Sequence, residues 1–278
     1  MSRLKIDITM SMTTNPLCGG KATTLTKLKQ AGLHVPSFYV IPTTSFDSFC
    51  QHIGILSFKN FYENRKYDPE IEKKFIDVNA ALLEEYLQII DDGEYMVRSS
   101  SIPSEDIDLK MFPSMISGAF ETYHATSKSE VARRILDVWS SLFTEKAYNQ
   151  CRLFSQKSII SGIGVILQKY IAPIVSGVAH TEDNIVSINW IEGHLSKIVG
   201  GEDMGNSVTV YRSPDQCCIL RGIEDDILLV KNKHLEDVFR SIWNDSMSAK
   251  EVLGSEQEVE WIYDGTHVWI VQSQHLIV

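Results

Sequence analysis

Clusters of positive charge are missing from this sequence. Its 278 residues carry 26 lysines and arginines against 36 aspartates and glutamates, a formal net charge of -10. Nucleic-acid backbones are gripped by clustered Lys and Arg, so DNA and RNA are not expected partners. Long apolar runs are missing too. The most apolar stretches, such as Ile159 to Leu167, are too short and too rich in Gly and Ser to span a bilayer. Met1 is followed by Ser2, Arg3, Leu4 and Lys5 rather than by the apolar segment of a secretory leader, so no membrane role is expected. The five cysteines (Cys18, Cys50, Cys151, Cys217, Cys218) are an odd number with no metal-like spacing. That usage points to free thiols in a reducing compartment, with the cytoplasm as the default location. No internal repeat, low-complexity tract or Pro/Gly linker divides the chain. The eight histidines are scattered, and no Ser-His-Asp order or zinc spacing emerges; His180, His194 and His275 read as structural or surface residues.

What is present is the composition of an ordinary globular protein, 44% hydrophobic and 22% charged, at a length that suits two lobes. The apolar pattern predicts helices over Gly20–Gln30, Thr44–His52, Pro69–Ile90, Lys128–Phe143 and Lys231–Asp245. Strands are expected at Phe38–Ile41, Tyr95–Ser99 and Phe120–Ala125. A run of short β segments follows from Gly164 to Gln272, the last two joined at Asp264-Gly265. Lys59–Asp68 reads as a surface excursion, and Ser100–Pro113 as a polar loop. Helix and strand first, antiparallel sheet with one helix later, is an α+β reading. The expected lobes are residues 1–158 and 159–278, with the boundary near Ser155 to Ser161.

Several segments could carry chemistry. Cys18-Gly19-Gly20-Lys21-Ala22-Thr23 opens a helix: paired glycines allow an anion close to the backbone, helix-end N–H groups point at it, and Lys21 adds a charge. A Walker A loop would need Gly at Asn15 and Ser or Thr at Ala22. Taken alone, the segment reads more readily as a helix-leading turn with a solvated lysine. Val97-Arg98-Ser99-Ser100-Ser101 ends a strand with a guanidinium and three hydroxyls, suited to phosphate and equally to a polar turn. Ser117-Gly118 through Glu121-Thr122 fits a loop over phosphates or a simple turn. Glu256, Glu258 and Glu260 alternate, which on a strand places three carboxylates on one face, either solvated or neutralised by a cation. Pairing about Asp264-Gly265 sets residue 263 opposite 266 and 260 near 269, leaving Gln272 beyond Glu260.

Taken in order, these segments resemble the nucleotide-binding region of the phosphoenolpyruvate synthase and pyruvate phosphate dikinase family. The resemblance runs through Gly19-Gly20-Lys21-Ala22, Gly32 to Phe38, Val97-Arg98-Ser99-Ser100, Ser117-Gly118 to Tyr123, and Trp139 to Thr144. It continues through Val165 to Gln168, Ser176 to Ala179, Gln257 to Trp261, and Ile270-Val271-Gln272. It covers about residues 17 to 274 and implies an ATP-grasp architecture with the nucleotide between two lobes. Carried over by position, Lys21 and Arg98 would bind phosphates, and Gly118 and Thr122 would sit in the loop covering them. Gln168 and the backbone of Lys169 to Ile171 would line the adenine pocket, and Glu260 and Gln272 would hold magnesium. ATP and Mg2+ are thus the expected cofactors.

Departures from the family pattern qualify this. The closing Gln-x-Arg-Pro is Gln272-Ser273-Gln274-His275 here, so Gln274 replaces an arginine expected to contact the transferring phosphate. The family's Gly-Leu-Gly-Glu is reduced to Ile191-Glu192-Gly193-His194. Ending at Val278, the chain has no room for a phosphohistidine domain or barrel, so full dikinase chemistry is not expected in this polypeptide alone. The expectation is an ATP-dependent phosphotransferase acting on a small-molecule acceptor. Alternatives are an ATP-binding subunit that passes phosphate to a histidine on a separate protein, and a non-catalytic nucleotide sensor. Retention of Lys21, Arg98, Glu260 and Gln272 favours catalysis, and loss of the arginine at Gln274 weighs against it unless Arg212 or Arg221 compensates.

Overall fold

A computed structural model describes residues 4–10, 16–55, 67–103, 120–154, 160–201, 204–212, 218–222 and 233–276. The expected turn at Ser117-Gly118 and most of the Lys59–Asp68 excursion lie outside them. The chain forms two compact units. The first comprises Met1–Thr23 and Ser37–Tyr170, the second Thr24–Pro36 and Ile171–Val278. The expected boundary near residue 158 would place the strand Ile160–Lys169 in the second lobe. That strand pairs with Phe38–Ile41 and Tyr95–Pro103, which puts it in the first unit.

The first unit is built on a five-stranded sheet. Its elements in chain order are β1 (Thr9–Met10), α1 (Gly20–Gln30, whose later part belongs to the second unit), β2 (Phe38–Ile41), α2 (Thr43–His52), α3 (Pro69–Ile76), α4 (Ala81–Glu84), β3 (Tyr95–Pro103), β4 (Thr122–Ala125), α5 (Lys128–Ser141), α6 (Glu145–Phe154) and β5 (Ile160–Lys169). The strand order is β1-β2-β5-β3-β4. Successive side chains on a strand point to opposite faces, and one face of this sheet is apolar. Ile163, Val165 and Leu167 of β5 and Tyr95 and Val97 of β3 meet a buried aromatic group of Phe46, Phe49, Phe75, Trp139 and Phe143 from the helices. Phe49 and Trp139 rings lie 5.0 Å apart, and Phe75 and Phe143 5.2 Å apart. Ser127 caps α5 by accepting the Glu130 N–H at 3.2 Å, and the Glu130 carboxylate accepts from Thr126 N at 2.7 Å.

The long helix expected over Pro69–Ile90 is broken. The α3 helix stops at Asp77, and the Asn79 side chain accepts the N–H of Ala81 at 3.0 Å, a local bond that competes with helix continuation. The strand expected to end at Ser99 continues to Pro103, because β3 keeps its ladder with β5 through the serines.

The second unit holds β6 (Val175–Glu182), β7 (Ile185–Glu192), α7 (Ser196–Val199), β8 (Asn206–Arg212), β9 (Cys218–Gly222), α8 (Lys233–Leu253), β10 (Gln257–Tyr263) and β11 (Val268–His275). All pairs in its sheet, ordered β11-β10-β6-β7-β8-β9, are antiparallel. Buried Ala179, Val186, Ile188, Trp190, Val259 and Trp261 share one face, and α8 supplies Val238, Phe239, Ile242 and Trp243. The Trp190 and Phe239 rings lie 5.6 Å apart, and Trp243 Nε1 donates to the Asn184 carbonyl at 3.2 Å. The α8 helix runs eight residues past the expected end at Asp245, to Leu253. Among the described residues no helix is long and apolar enough to cross a membrane.

On α8, burial pushes Asp245 up to about 6, against an opposing pull from His34. A raised carboxyl disfavours its own ionisation in the fold. Its contribution is therefore most favourable below the ordinary 3.8 and is lost as pH climbs from there towards 6. Asp245→Asn should melt higher than the wild type at pH 7, with the gap closing at pH 4, when both are followed by circular dichroism. A gap that does not change between those pH values would refute this.

Candidate functional site

In the first unit, the helix-opening loop lies directly on the sheet. The N–H of Ala22, in the first turn of α1, donates to Ser100 Oγ at 3.1 Å. Gly19 has φ of +83°, and a Cβ there would stand 2.1 Å from the Ser100 carbonyl oxygen. A Cβ on Gly164, the β5 partner of Ser100, would stand 2.8 Å from the Cys18 carbonyl oxygen. Only glycine at both places lets the loop settle across β3 and β5. The result is a helix N-terminus, with half-buried Lys21 in its first turn, held against the face opposite the aromatic core.

Strand register places more of the expected residues on that face. Arg98 is two residues from Ser100 and shares its side of β3, at only 6% exposure. Its cross-strand neighbours are Thr122 on β4 and Ile166 on β5. Gln168, two residues along β5 and 1% exposed, lies opposite Met96 on β3 and Phe38 on β2. A permanently charged guanidinium, a helix start carrying a lysine, and a carboxamide between apolar neighbours therefore occupy one surface. The three serines divide: Ser100 lies on the Arg98 side with its hydroxyl engaged by α1, while Ser99 and Ser101 fall on the other face. Lys169 also falls on that other face, its Nζ donating to the Asp92 carbonyl at 2.6 Å and lying 4.5 Å from the Tyr95 ring centroid. Its own N–H donates to the Ser37 carbonyl at 2.8 Å. The structure thus brings Arg98, Thr122 and Gln168 to one sheet face, docks the Lys21-bearing start of α1 on it through Ala22, and turns the Lys169 side chain away. Gly118 lies outside the described residues.

The remaining expected residues belong to the second unit. Ile171 packs with Val178, Leu195, Ile262 and Val271. Glu260 and Gln272 are direct cross-strand partners, and Gln272 Nε2 donates to Glu260 Oε1 at 3.1 Å. The expected two-residue turn would have kept them apart. Instead Tyr263 pairs with Val268 across a four-residue connection, and a bulge between Glu260 and Trp261 shifts the register once more. Asp264 builds that connection by accepting the N–H groups of Thr266 and His267 at 2.8 Å each and the Trp269 indole N–H at 2.7 Å. The acidic face holds two carboxylates, not three. Glu256 precedes β10 and is tied to Lys250, Thr181 and the Asp183 N–H.

A group that sequence reasoning passed over lies beside Glu260. Glu258 Oε2 is 3.0 Å from His180 Nε2, and Glu258 Oε1 accepts from Gln274 Nε2 at 2.6 Å. The alternation of Glu258 with Glu260 and of Gln272 with Gln274 was a signal for it; the position of His180 on β6 was not readable from spacing. Among the described residues no three His, Cys, Asp or Glu side chains group to hold a metal unaided.

Two glycines in left-handed geometry give a test of the loop contact. Gly32 (φ +88°) closes α1, its N–H donating to Lys29 O and that of Leu33 to Leu28 O, and a Cβ there would meet nothing within 4 Å. Gly32→Ala should cost about 1 kcal/mol for the backbone conformation alone. Gly19→Ala adds an overlap with main chain and should cost about 3 kcal/mol or more. Urea unfolding of both variants checks this, and equal losses would refute the docking contact.

Comparison with known proteins places these residues in a family. The family described as "Pyruvate phosphate dikinase, AMP/ATP-binding domain" matches residues 15–277. The chain is similar to a phosphoenolpyruvate synthase of Aeropyrum pernix, 27% identical over 228 residues, covering 71% of this chain and 27% of that protein. It is also similar to a probable phosphoenolpyruvate synthase of Archaeoglobus fulgidus, 25% identical over 318 residues, covering 93% and 39%. A third relative is the prodigiosin synthesizing transferase PigC of Serratia marcescens, 22% identical over 286 residues, covering 92% and 31%. The chain therefore spans well under half the length of these relatives. With a match that runs almost from end to end, it belongs to the pyruvate phosphate dikinase AMP/ATP-binding domain family.

Proposed function

We propose that this chain binds Mg-ATP in the manner of an ATP-grasp enzyme and transfers a phosphoryl group to a small-molecule acceptor. The observation that carries this reading is the face shared by Arg98, Thr122, Gln168 and the Lys21-bearing start of α1. Phosphoryl transfer asks a protein mainly to position groups and neutralise charge. Arg98 offers a planar fork suited to two phosphate oxygens, and Lys21 a mobile point charge. The N–H groups at the start of α1 add fixed partial charge. Gln168, with a donor and an acceptor between Phe38 and Met96, suits the edge of an adenine whose faces are apolar.

Glu260 and Gln272 fit a magnesium site of limited kind. They offer a carboxylate and an amide oxygen, which are hard donors, and Mg2+ is commonly held by one or two such groups together with substrate phosphates. A divalent cation there supplies charge neutralisation to the phosphates. Gln274, bonded to Glu258, supplies no cation at the position of the family arginine. Lys21 and Arg98 carry positive charge on the protein's side.

Phosphorus NMR of the purified protein with Mg-ATP, with and without cell extract as an acceptor source, tests the reading. Lys21→Ala and Arg98→Ala should each lower turnover by about 100-fold or more. Arg98→Lys guards against misfolding of the deeply set position and should recover only part of the rate, since it keeps charge without the fork. Glu260→Gln should raise the magnesium concentration needed for half-maximal turnover. ADP as product marks direct kinase chemistry. AMP plus phosphate marks dikinase-like chemistry. ATP binding without turnover under any condition would overturn the proposal and leave a nucleotide sensor.

A further inference from the structure

The sheet face of the first unit that carries Arg98 continues past Gln168 to a group that phosphate and metal roles leave unused. Alternation along β3 puts Met96 and then Glu94 on the same side as Arg98, in successive rows about 7 Å apart. Met96 lies opposite Gln168 on β5 and opposite His124 on β4. One row further, the Tyr170 N–H continues the ladder by donating to the Glu94 carbonyl at 3.0 Å. His124 Nε2 stands 2.7 Å from Glu94 Oε2. The His124 and Tyr170 rings have their centroids 4.2 Å apart and their planes inclined by 32°. An imidazole from one side of β3 and a phenol from the other thus meet across that strand and wall off the end of the face.

Exposure and charge give this wall a direction. The His124 and Glu94 side chains are 39% and 49% exposed, open to a bound molecule, whereas Arg98 and Gln168 are buried. Arg98 and the Lys21-bearing start of α1 stand together at the Ser100 end of β3. The Glu94 carboxylate stands at the opposite end, where it repels phosphate. A nucleotide on this face therefore lies with its phosphates towards Arg98 and its base over Met96. The Met96 thioether is soft and apolar and suits the flat face of a base. Beyond the base, the next surface is the ring pair, which meets another aromatic system favourably. A bicyclic base extends from Met96 to the rings, whereas a single pyrimidine ring stops short and forgoes those contacts.

We infer that His124 and Tyr170 form the base-end wall of the nucleotide site and select purine over pyrimidine nucleotides, with Glu94 as the positioning residue for the imidazole; this rests on the Mg-ATP-binding reading above. His124 and Tyr170 act here by contact alone, and no bond is made or broken.

Calorimetry of the full chain with the magnesium complexes of ATP, CTP and tripolyphosphate tests the assignment. The wild type should bind ATP about tenfold more tightly than CTP. His124→Ala should weaken ATP by about tenfold and bring the ATP-to-CTP ratio close to one. Tripolyphosphate has no base, so its affinity should stay within about twofold in the same variant, as for a distant independent site. A structural role for His124 would weaken both ligands together. Tyr170→Phe keeps the ring and should keep the ratio, Tyr170→Ala should lose it, and Glu94→Ala should lower it in part. His124 is half-exposed on β4, which ends the strand order, so its removal leaves the core of the unit untouched. Equal binding of ATP and CTP by the wild type, a ratio unchanged in His124→Ala and Tyr170→Ala, or parallel losses of ATP and tripolyphosphate would each overturn the inference and leave the phosphate-binding reading standing. If the wild type binds neither ATP nor tripolyphosphate, the nucleotide reading itself fails and this inference falls with it.

Discussion

The start of α1 and the serine run of β3 are 78 residues apart in sequence and meet through one main-chain donor, the Ala22 N–H on Ser100 Oγ. The contact exists because Gly19 has no side chain: any Cβ there would occupy the space of the Ser100 carbonyl. A buried donor at a helix start must find an acceptor, and here the acceptor is a strand hydroxyl rather than a cap from the preceding residues. That choice sets where the helix dipole points and where Lys21 emerges. Because Ser100 and Arg98 share one side of β3, it also puts the helix start on the sheet face that carries Arg98. Loss of the close approach would leave Arg98 on its strand and the helix start elsewhere.

Both units use their sheets in the same way. One face is buried under helices, by aromatic stacking of Phe46, Phe49, Phe75, Trp139 and Phe143 in the first unit and by α8 in the second. The opposite face carries the polar groups, set among apolar neighbours such as Phe38 and Ile166 in the first unit and Val178 in the second. This division lets charge be placed without penetrating the core, since strand alternation keeps the two sets of side chains apart. Depth differs between the units. Arg98 and Gln168 are almost fully buried, whereas Glu258 and Glu260 keep partial contact with water. Lone carboxylates this close would repel; Gln272, Gln274 and His180 each engage one of them and reduce that cost. Gln274 thus has a structural explanation: in place of a cation it presents an amide that donates to Glu258.

Much of this was legible in the residues themselves. The first helix was readable to its end residues from Gly20-Lys21 and Gly32, and β2 from its four apolar residues. The family was legible from the order of short motifs rather than from any one of them. Errors arose where side chains compete locally with regular structure. Asn79 interrupts a pattern that otherwise reads as one helix, and the polar serines after Val97 read as a loop although their ladder partners on β5 keep them in the sheet.

By itself the sequence determined which residues can share a strand face, and where α1 and β2 begin and end. Period-two alternation and glycine placement are local properties that survive without knowledge of the fold. Only the tertiary structure decided which strands meet and in what register. A four-residue connection and one bulge, neither visible as a pattern, bring Gln272 opposite Glu260. The pairing of β6 with β10 brings His180 to Glu258. The ladder between β3 and β5 turns Lys169 towards Tyr95 and away from Arg98. The physical reason is the same in each case: a shift of one residue in a ladder exchanges the two faces of a strand, and the contacts that choose the register lie far away along the chain.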